Sequence, residues 1–353
     1  MTKWYENPTV DTHIIISSRV RLARNLANFH FPPCLSPPQA ANAMEMMRGS
    51  IFNEKNDAML DAGKFEFINL SNSSNWDLNI LSEQHLISPS MVHNSNQRGV
   101  AHSMGGNVSI MFNEEDHVRI QALFVGKDLD AAFATANKMD DIMEETLNFA
   151  FDHEFGYLTS CPSNTGTGLR ASYMLHIPLL EASGNLKKEM GILTKAGIVM
   201  RGIHGEGSDS LGSIYQISNQ KTLGKSETYI MNELKACADQ LVEKEHALRG
   251  TMVMDYLTEA KDSFWRSIGA VTNARKMSLA EAMRHLSEIR LGTMLGTSLG
   301  FCKNPAPTTI YNLMTNIQPF TLQKIMGPAI DARHLDMLRA DYLRKVISSN
   351  NML

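Results

Sequence analysis

Residues 13–16 open a short β-branched run that continues through Ser17-Ser-Arg-Val-Arg21, the composition of a strand. After it, Leu22-Ala-Arg-Asn-Leu26 turns towards helix. Between Asn107 and Phe112, the residues Val108, Ile110 and Phe112 alternate with Ser109 and Met111, the period of two of a half-buried strand. A second alternating run, Val118–Leu123, follows the acidic break Asn113-Glu-Glu-Asp-His117. Together they predict a hairpin with carboxylates at its tip. Helices are predicted over Asp128–Phe151 and Ala171–Leu180, and strands over Gly197–Arg201 and Ser213–Ser218, joined by the Gly-rich loop Gly202–Gly212. From about Thr228 strand signals vanish. Ser278-Leu-Ala-Glu281 has capping-box spacing, Leu279, Met283 and Leu286 continue on one helical face, and Asp336–Val346 predicts a terminal helix. Helices and strands mix without regular βαβ spacing, so the expectation is α+β. The expected boundary lies near residue 247, dividing a mixed domain, 1–247, from a helical one, 248–353.

Composition narrows the function classes. Hydrophobic residues make up 43% and charged residues 20% of the 353, which excludes disordered and fibrous chains. Lys and Arg number 33 against 37 acids, a net charge of −4. That balance exerts no general pull on nucleic acid or anionic lipid, so any anion site must be a local cluster of cations. Cys34, Cys161, Cys237 and Cys302 lie far apart with no CxxC pair, which excludes a Cys-rich zinc module and does not suggest a disulfide scaffold. The N-terminus lacks the apolar core of a signal peptide, and no apolar run approaches the ~18 residues of a membrane span. The expectation is a soluble cytoplasmic protein with neither nucleic acid nor membrane as ligand. The 23 methionines read as pliable core filler.

Two nucleotide motifs fall short. Gly224-Lys-Ser226 ends like a phosphate-binding loop, but Asn219 stands where the first Gly belongs. Gly166-Thr-Gly-Leu-Arg-Ala171 fits a dinucleotide fingerprint in form, yet it follows Cys-Pro-Ser-Asn rather than an apolar strand.

The arginines are more informative. Arg19 and Arg21 flank Val20 in a strand-like run, so alternation puts both guanidinium groups on one face about 7 Å apart, suiting adjacent phosphates. An RxR alone is more often a solvated edge. Arg119 points away from the apolar face of Val118 and Ile120, Arg170 follows the turn Asn164-Thr-Gly-Thr-Gly168, and Arg201 ends a strand before Gly202. Converging arginines of this kind would cage a polyphosphate without a P-loop. Glu114 and Glu115 sit at the hairpin tip and Glu206 between two glycines. Carboxylates are the bidentate partners of a guanidinium, so such acids could hold a substrate Arg and take its proton. Adjacent acids in a turn are also commonly just solvated. Cys161 precedes Pro162 near the Arg cluster; cations there would favour a thiolate, and an inert small hydrophobe is the other reading.

Taken in order, Ser17-Ser-Arg-Val-Arg21, Asn113-Glu-Glu-Asp-His-Val-Arg119, Cys161-Pro-Ser-Asn-Thr-Gly-Thr-Gly-Leu-Arg170 and Arg201-Gly-Ile-His-Gly-Glu206 resemble the phosphagen (guanidino) kinases. Ser218-Asn-Gln-Lys-Thr-Leu-Gly-Lys-Ser-Glu227 is similar to that family's closing segment, and the resemblance spans roughly residues 14 to 247. Creatine- and arginine-type members carry a helical domain ahead of the first motif. Here sixteen residues precede Ser17 and the additional material is a helical C-terminal region, a layout that resembles bacterial protein-arginine kinases. His85, in Glu83-Gln-His-Leu-Ile-Ser-Pro89, is similar to a nucleotide-contact position of that branch.

The resemblance implies an antiparallel sheet flanked by helices, Mg-ATP as donor with the metal carried by ATP, and phosphorylation of arginine side chains in proteins. It implies nucleotide binding by Ser17, Ser18, Arg19, Val20, Arg21, His85, Arg119, Arg170, Ala171, Ser172, Tyr173, Met174, Arg201, Gly202, Ile203, His204 and Gly205. Glu115 and Glu206 would clamp and deprotonate the guanidinium, with Glu114 supporting and Cys161 tuning the substrate. The implied partners are proteins with exposed or unfolded Arg, an activator protein and a Clp-type protease system, in a role that marks proteins for degradation under stress; a homodimer is compatible with it. The rival readings are a kinase for a free guanidino metabolite and a silent adaptor that binds ATP or phosphoarginine. One departure stands out. The branch's RDxxRA phosphoarginine motif appears here as Leu335-Asp-Met-Leu-Arg-Ala340, so Asp336 and Arg339 remain but the leading Arg is replaced by an apolar residue.

Overall fold

The computed structural model describes residue 4 and residues 12–53, 65–204, 210–293 and 306–349. Ten strands are found among them: β1 Ile15–Arg24, β2 Phe65–Asn69, β3 Gly99–Ser103, β4 Val108–Phe112, β5 Val118–Val125, β6 Phe151–Asp152, β7 Gly156–Tyr157, β8 Leu169–His176, β9 Ile198–His204 and β10 Ser210–Asn219. Eight form one sheet in the order β2-β3-β4-β5-β1-β8-β10-β9, with every neighbouring pair antiparallel. The helices of the first two-thirds are α1 Pro37–Ile51, α2 Asn75–Glu83, α3 Pro89–His93, α4 Leu129–Glu144, α5 Pro178–Ala182, α6 Leu186–Lys195 and α7 Glu227–Asp255. The remainder is α8 Leu257–Asn273, α9 Leu279–Gly292, α10 Pro307–Asn316, α11 Pro319–Met326 and α12 Ala332–Ser349. The expected α+β architecture with a helical C-terminal region is what the chain adopts. Helix α7 runs unbroken through residue 247.

The expected hairpin is β4 paired with β5, in the register Ile110↔Ile120 and Phe112↔Val118. Two expectations of helix give way to strand. Leu22–Arg24 continues β1, because β5 pairs with it on one side through Arg24 and β8 pairs with it on the other through Leu22. Most of Ala171–Leu180 is β8, held between β1 and β10, and helix begins only at Pro178. Leu169, Ala171, Leu175 and His176 are all buried. Cover on both faces of that strand hides the period of two. Helix α4 starts at Leu129 with Asp128 as N-cap, its carboxylate accepting from the Ala131 N–H at 3.3 Å; Phe151 lies beyond it in β6.

Alternation gives the sheet two unlike faces. On the first, Val20, Leu22, Ile110, Ile120, Ala171 and Ile217 pack with residues of α1, α4 and α7 into the main core. The second face is covered in two separate patches. Val100 and Met111 lie under α2 and α3 with Leu78, Ile87 and Met91. Leu123, Val125, Met174 and Ile214 lie under α8–α12 with Phe264, Met283, Leu313 and Leu343. Between the patches the face is polar.

Candidate active site

Register lines up the polar strip. Arg19 stands opposite Leu123 of β5 and Ser172 of β8, Arg21 opposite Gln121 and Arg170, and Ala23 opposite Arg119. Cross-strand partners share a face, so Arg119, Arg21 with Arg170, and Arg19 occupy three successive same-face rungs, each about 7 Å from the next. Arg201 of β9 faces Gln216 of β10, which faces Met174; its side chain is exposed. Arg19 donates from Nε to Ser172 Oγ at 3.3 Å and from Nη2 to Gln216 Oε1 at 2.5 Å. Arg170 donates from Nη2 to Ser218 Oγ at 3.2 Å. Among the described residues, the buried Nε atoms of Arg21 and Arg170 have no hydrogen-bond partner.

This strip is short of negative charge. Burial first, then the neighbouring Arg119 and Arg170, bring Arg19 down to about 10. Burial, then Arg19, Arg119 and Arg170, depress Arg21 well below the usual guanidinium range. Burial, then Arg201 and Arg119, lower Arg170, while Glu115 and Cys161 oppose the shift. A buried donor left unpaired costs roughly 1–3 kcal/mol, and like charges in a half-buried strip repel. A bound polyanion would relieve both.

The hairpin tip separates its two acids. Asn113 adopts φ +55°, the left-handed region Asn tolerates better than most residues, and its side-chain nitrogen bonds Ala40 O and Gln97 O, each at 2.9 Å. Glu114 is 8% exposed. Its Oε1 accepts from Ser88 and Ser90 at 2.7 and 2.6 Å, and its Oε2 accepts from Arg119 at 2.5 Å and from the Glu115 N–H at 3.0 Å. Burial alone would raise the Glu114 carboxyl, but the Arg119 charge and those hydrogen bonds outweigh it and bring it to about 2. Glu114 is therefore committed to holding Arg119. Glu115 is exposed and projects from the tip. Asp116 reaches back, accepting from the Ser160 N–H at 2.7 Å and from Asn25 at 2.7 Å, which ties the acid tip to the loop carrying Cys161. The Cys161 Sγ is half-buried and 3.0 Å from Ser163 Oγ.

A pocket of about 300 Å³ opens on the strip. Its floor is Arg19, Arg21, Met111, Arg119 and Gln121; Ser82, Glu83, His85, Ile87, Ser88 and Pro89 supply one wall, and Ile203 and Gln318 complete it. His85 sits in that wall at φ +61°, its carbonyl accepting from Gln121 Nε2 at 2.7 Å.

Two family models divide the chain between them. The ATP:guanido phosphotransferase C-terminal catalytic domain matches residues 45–248, and the protein-arginine kinase McsB C-terminal domain matches residues 258–352. The protein-arginine kinase of Geobacillus sp. (strain WCH70) is 38% identical over 98% of this chain and 93% of its own length. That of Clostridium kluyveri is 36% identical over 99% of each. The chain belongs to the protein-arginine kinase family. Its fold is shared with solved phosphagen kinases. Lombricine kinase superposes with a TM-score of 0.59 at 24% identity over 69% of each chain. The duplicated taurocyamine kinase from Schistosoma mansoni, in its form with transition-state-analogue components, gives 0.60 at 22% identity over 92% of this chain and 49% of that one.

Within this member of the family, the structure brings together Arg19, Arg21, Arg119 and Arg170, with Ser172 on the same face, and places His85 and Ile203 in the pocket. Ser17 shares that face one rung beyond Arg19, opposite Val125 and Met174; Met174 lies under the helical region, with Tyr311 donating to its sulfur at 3.5 Å. Val20, Ala171 and Tyr173 lie on the core face. Ser18 spends its hydroxyl on Gly126 O at 2.7 Å and on the Asp128 N–H at 2.8 Å. Gly202 pairs with Tyr215 and the His204 backbone continues β9. Gly205 and Glu206 lie outside the described residues.

Gln121, Gln216, Ser218, Ser88 and Ser90 were not among the expected site residues. The strand pattern contained the signal for Gln216 and Ser218, which alternate with buried Tyr215 and Ile217. The two misleading nucleotide motifs have structural explanations. A Cβ at Gly166, φ +113°, would sit 2.7 Å from Thr222 O, and one at Gly168, φ +65°, 2.6 Å from Ala23 O; the glycines allow close backbone approach. Ser226 N-caps α7 and Lys225 pairs with Glu233 at 2.8 Å.

In the altered C-terminal motif, Arg339 is buried. It donates to Ile317 O at 3.2 Å, to Met277 O at 2.9 Å and to Asp336 at 2.8 Å. Leu335 packs against the helical core.

Proposed function

We propose that this chain transfers the γ-phosphoryl group of ATP to the guanidinium of arginine residues in proteins. The observation that carries the reading is the strip of four converging arginines, two with buried Nε atoms that lack a partner among the described residues, beside the exposed Glu115. Arg19, Arg21, Arg119 and Arg170 would hold the phosphates, with Arg201 closing from β9. Glu114 fixes Arg119 rather than meeting substrate. Glu115, together with Glu206, would grip the substrate guanidinium and accept its proton. A guanidino nitrogen attacks the γ-phosphorus, the N–P bond forms, the bond to the bridging oxygen breaks, and ADP leaves with that electron pair. The proton passes to the carboxylate and then to water. Mg²⁺ carried by ATP supplies charge neutralisation at the phosphates. Cys161, on the loop tied to the acid tip, would adjust the electronics of the guanidinium. Asp336 and Arg339, engaged within the helical region, would staple helices rather than bind phosphoarginine.

The cellular reading is cytoplasmic marking of proteins for degradation, with a Clp-type protease and an activator as partners. No described helix is long and apolar enough to cross a membrane, which is compatible with that reading. The test is incubation with ATP and an Arg-rich unfolded protein, followed by mass spectrometry under non-acidic conditions that preserve the N–P bond. Phosphoarginine is the expected product; phosphate on hydroxyl side chains alone, or none, would overturn the reading.

A further inference from the structure

Helix α11 lacks a conventional start. Gln318 occupies its N-cap position, yet its side chain makes no cap hydrogen bond, and Pro319 fills the first helical position. The next donors are satisfied from far away in sequence. Glu83, at the end of α2, accepts from the Phe320 N–H at 3.0 Å with Oε1, and from the Thr321 N–H and hydroxyl, each at 2.7 Å, with Oε2. Trp76 of α2 also meets Phe320 edge to face at 5.5 Å. A carboxylate on a helix N-terminus is the favourable sign for the dipole. Glu83 thus does the capping that Gln318 does not.

Gln318 is used differently. It is 5% exposed and lines the pocket that Arg19, Arg21 and Arg119 floor. Its Nε2 donates to Met314 O at 3.0 Å. Only the amide nitrogen can donate to a carbonyl, so that bond fixes which way the amide faces. Oε1 takes no hydrogen bond among the described residues and remains an oriented acceptor.

The rungs say which part of a nucleotide meets it. The acid tip stands beside Arg119, at one end of the strip. Arg19 lies at the other end, and the next rung beyond it, Val125 and Met174, is covered by the helical region. Gln318 belongs to that helical layer, with Met283 Sδ 3.9 Å from its amide. A nucleotide with its γ-phosphoryl at Glu115 and its phosphates along the arginines has its base at the helical end. We infer that Gln318 Oε1 accepts a hydrogen bond from the exocyclic amine of the purine, and that Glu83 is the positioning residue that seats it. The helical region then completes the nucleotide site and selects a 6-amino over a 6-oxo base. This inference rests on the nucleotide-binding reading above.

The experiment is calorimetric titration of the full chain with ADP and with IDP, which carries a carbonyl where adenine carries the amine. The wild type is expected to prefer ADP by about tenfold or more, the scale of one buried hydrogen bond and its mismatch. Gln318→Met keeps the length and removes the acceptor. Its ADP affinity should fall about tenfold and its preference over IDP should collapse to within about twofold. Glu83→Gln should move both in the same direction by less. In turnover, Gln318→Met should raise KM for ATP and leave kcat near the wild-type value. Equal binding of ADP and IDP by the wild type, a comparison independent of any variant's folding, would overturn the inference and leave the phosphate strip standing. Retained ADP preference in a folded Gln318→Met protein would also overturn it. Failure of the wild type to bind either nucleotide would instead overturn the kinase reading on which it rests.

Discussion

The second face of the sheet presents two regions built on the same strands with opposite fates. On β5, Leu123 and Val125 are buried beneath the helical region, while Arg119, two rungs earlier on the same face, is half-buried beside the pocket. On β8, Met174 is covered and Arg170 is not. Strand geometry is common to both, so the difference lies in what the side chains can be packed against. Apolar rungs gain about 25 cal/mol per Å² when helices cover them. Covering the arginine rungs would bury mutually repelling cations, which is costly. The helices therefore stop at Arg19, and the strip stays open as a surface on which an anion would be favoured. One face holds both a packed half and an open, cationic half because the residue type changes along the strand while the period of two does not.

The largest contrast is expected at the acid tip. Glu115→Gln should retain most ATP binding and lose roughly 10²–10⁴ in phosphoryl-transfer rate, with Glu206→Gln behaving alike; near-normal turnover in both would remove these acids from the mechanism. On the covered half, Leu123→Ala should destabilise by about 2–5 kcal/mol through lost burial and a cavity, seen as a lower midpoint in urea. On the open half the sign reverses. Arg21→Met should stabilise the ligand-free chain by on the order of 1 kcal/mol, because it removes a repelled cation whose buried donor lacks a partner among the described residues, while nucleotide binding is largely lost. A destabilised Arg21→Met chain that still binds ADP normally would erase the distinction between the two halves.

Glu114 predicts a pH dependence. Its carboxyl is held at about 2 in the folded chain, against about 4.3 when unfolded. A depressed carboxyl stabilises above the unfolded value, and that contribution is lost as pH falls from about 4.3 towards 2. It amounts to on the order of 3 kcal/mol. Glu114→Gln should therefore lower stability at neutral pH and flatten the acid-unfolding curve in that window; an unchanged curve would show that the Arg119 pair does not govern it. The smallest effect is expected at Cys161. Cys161→Ser should slow transfer by less than either Glu substitution, since the sulfur is not the proton acceptor.

The hairpin, its acid tip and the arginine alternation were legible because each strand there has one face that differs sharply from the other. β8 and the end of β1 were misread as helical because they are central strands with cover on both sides, and alternation fades when both faces are buried. Composition and spacing do not separate adjacent Glu114 and Glu115; only the family resemblance gives them different roles. The left-handed turn at Asn113 and the two serines of the α3 region separate their roles, and no local pattern encodes that. The Glu83 cap on α11 joins residues more than 200 positions apart, beyond the reach of any spacing argument. Gln318 was invisible for the same reason.

What the open half of the sheet does to arginine decides between a protein-arginine kinase and its rivals most directly. The measurement is a competition assay with ATP, comparing kcat/KM for an unfolded Arg-containing protein and for free arginine, with Glu115→Gln as the inactive reference. The expected result is phosphoarginine on the protein, formed far more efficiently than phosphorylated free arginine and lost in Glu115→Gln. Equal or better use of free arginine would contradict the protein-substrate reading, and product formation undiminished in Glu115→Gln would contradict the assignment of the site itself.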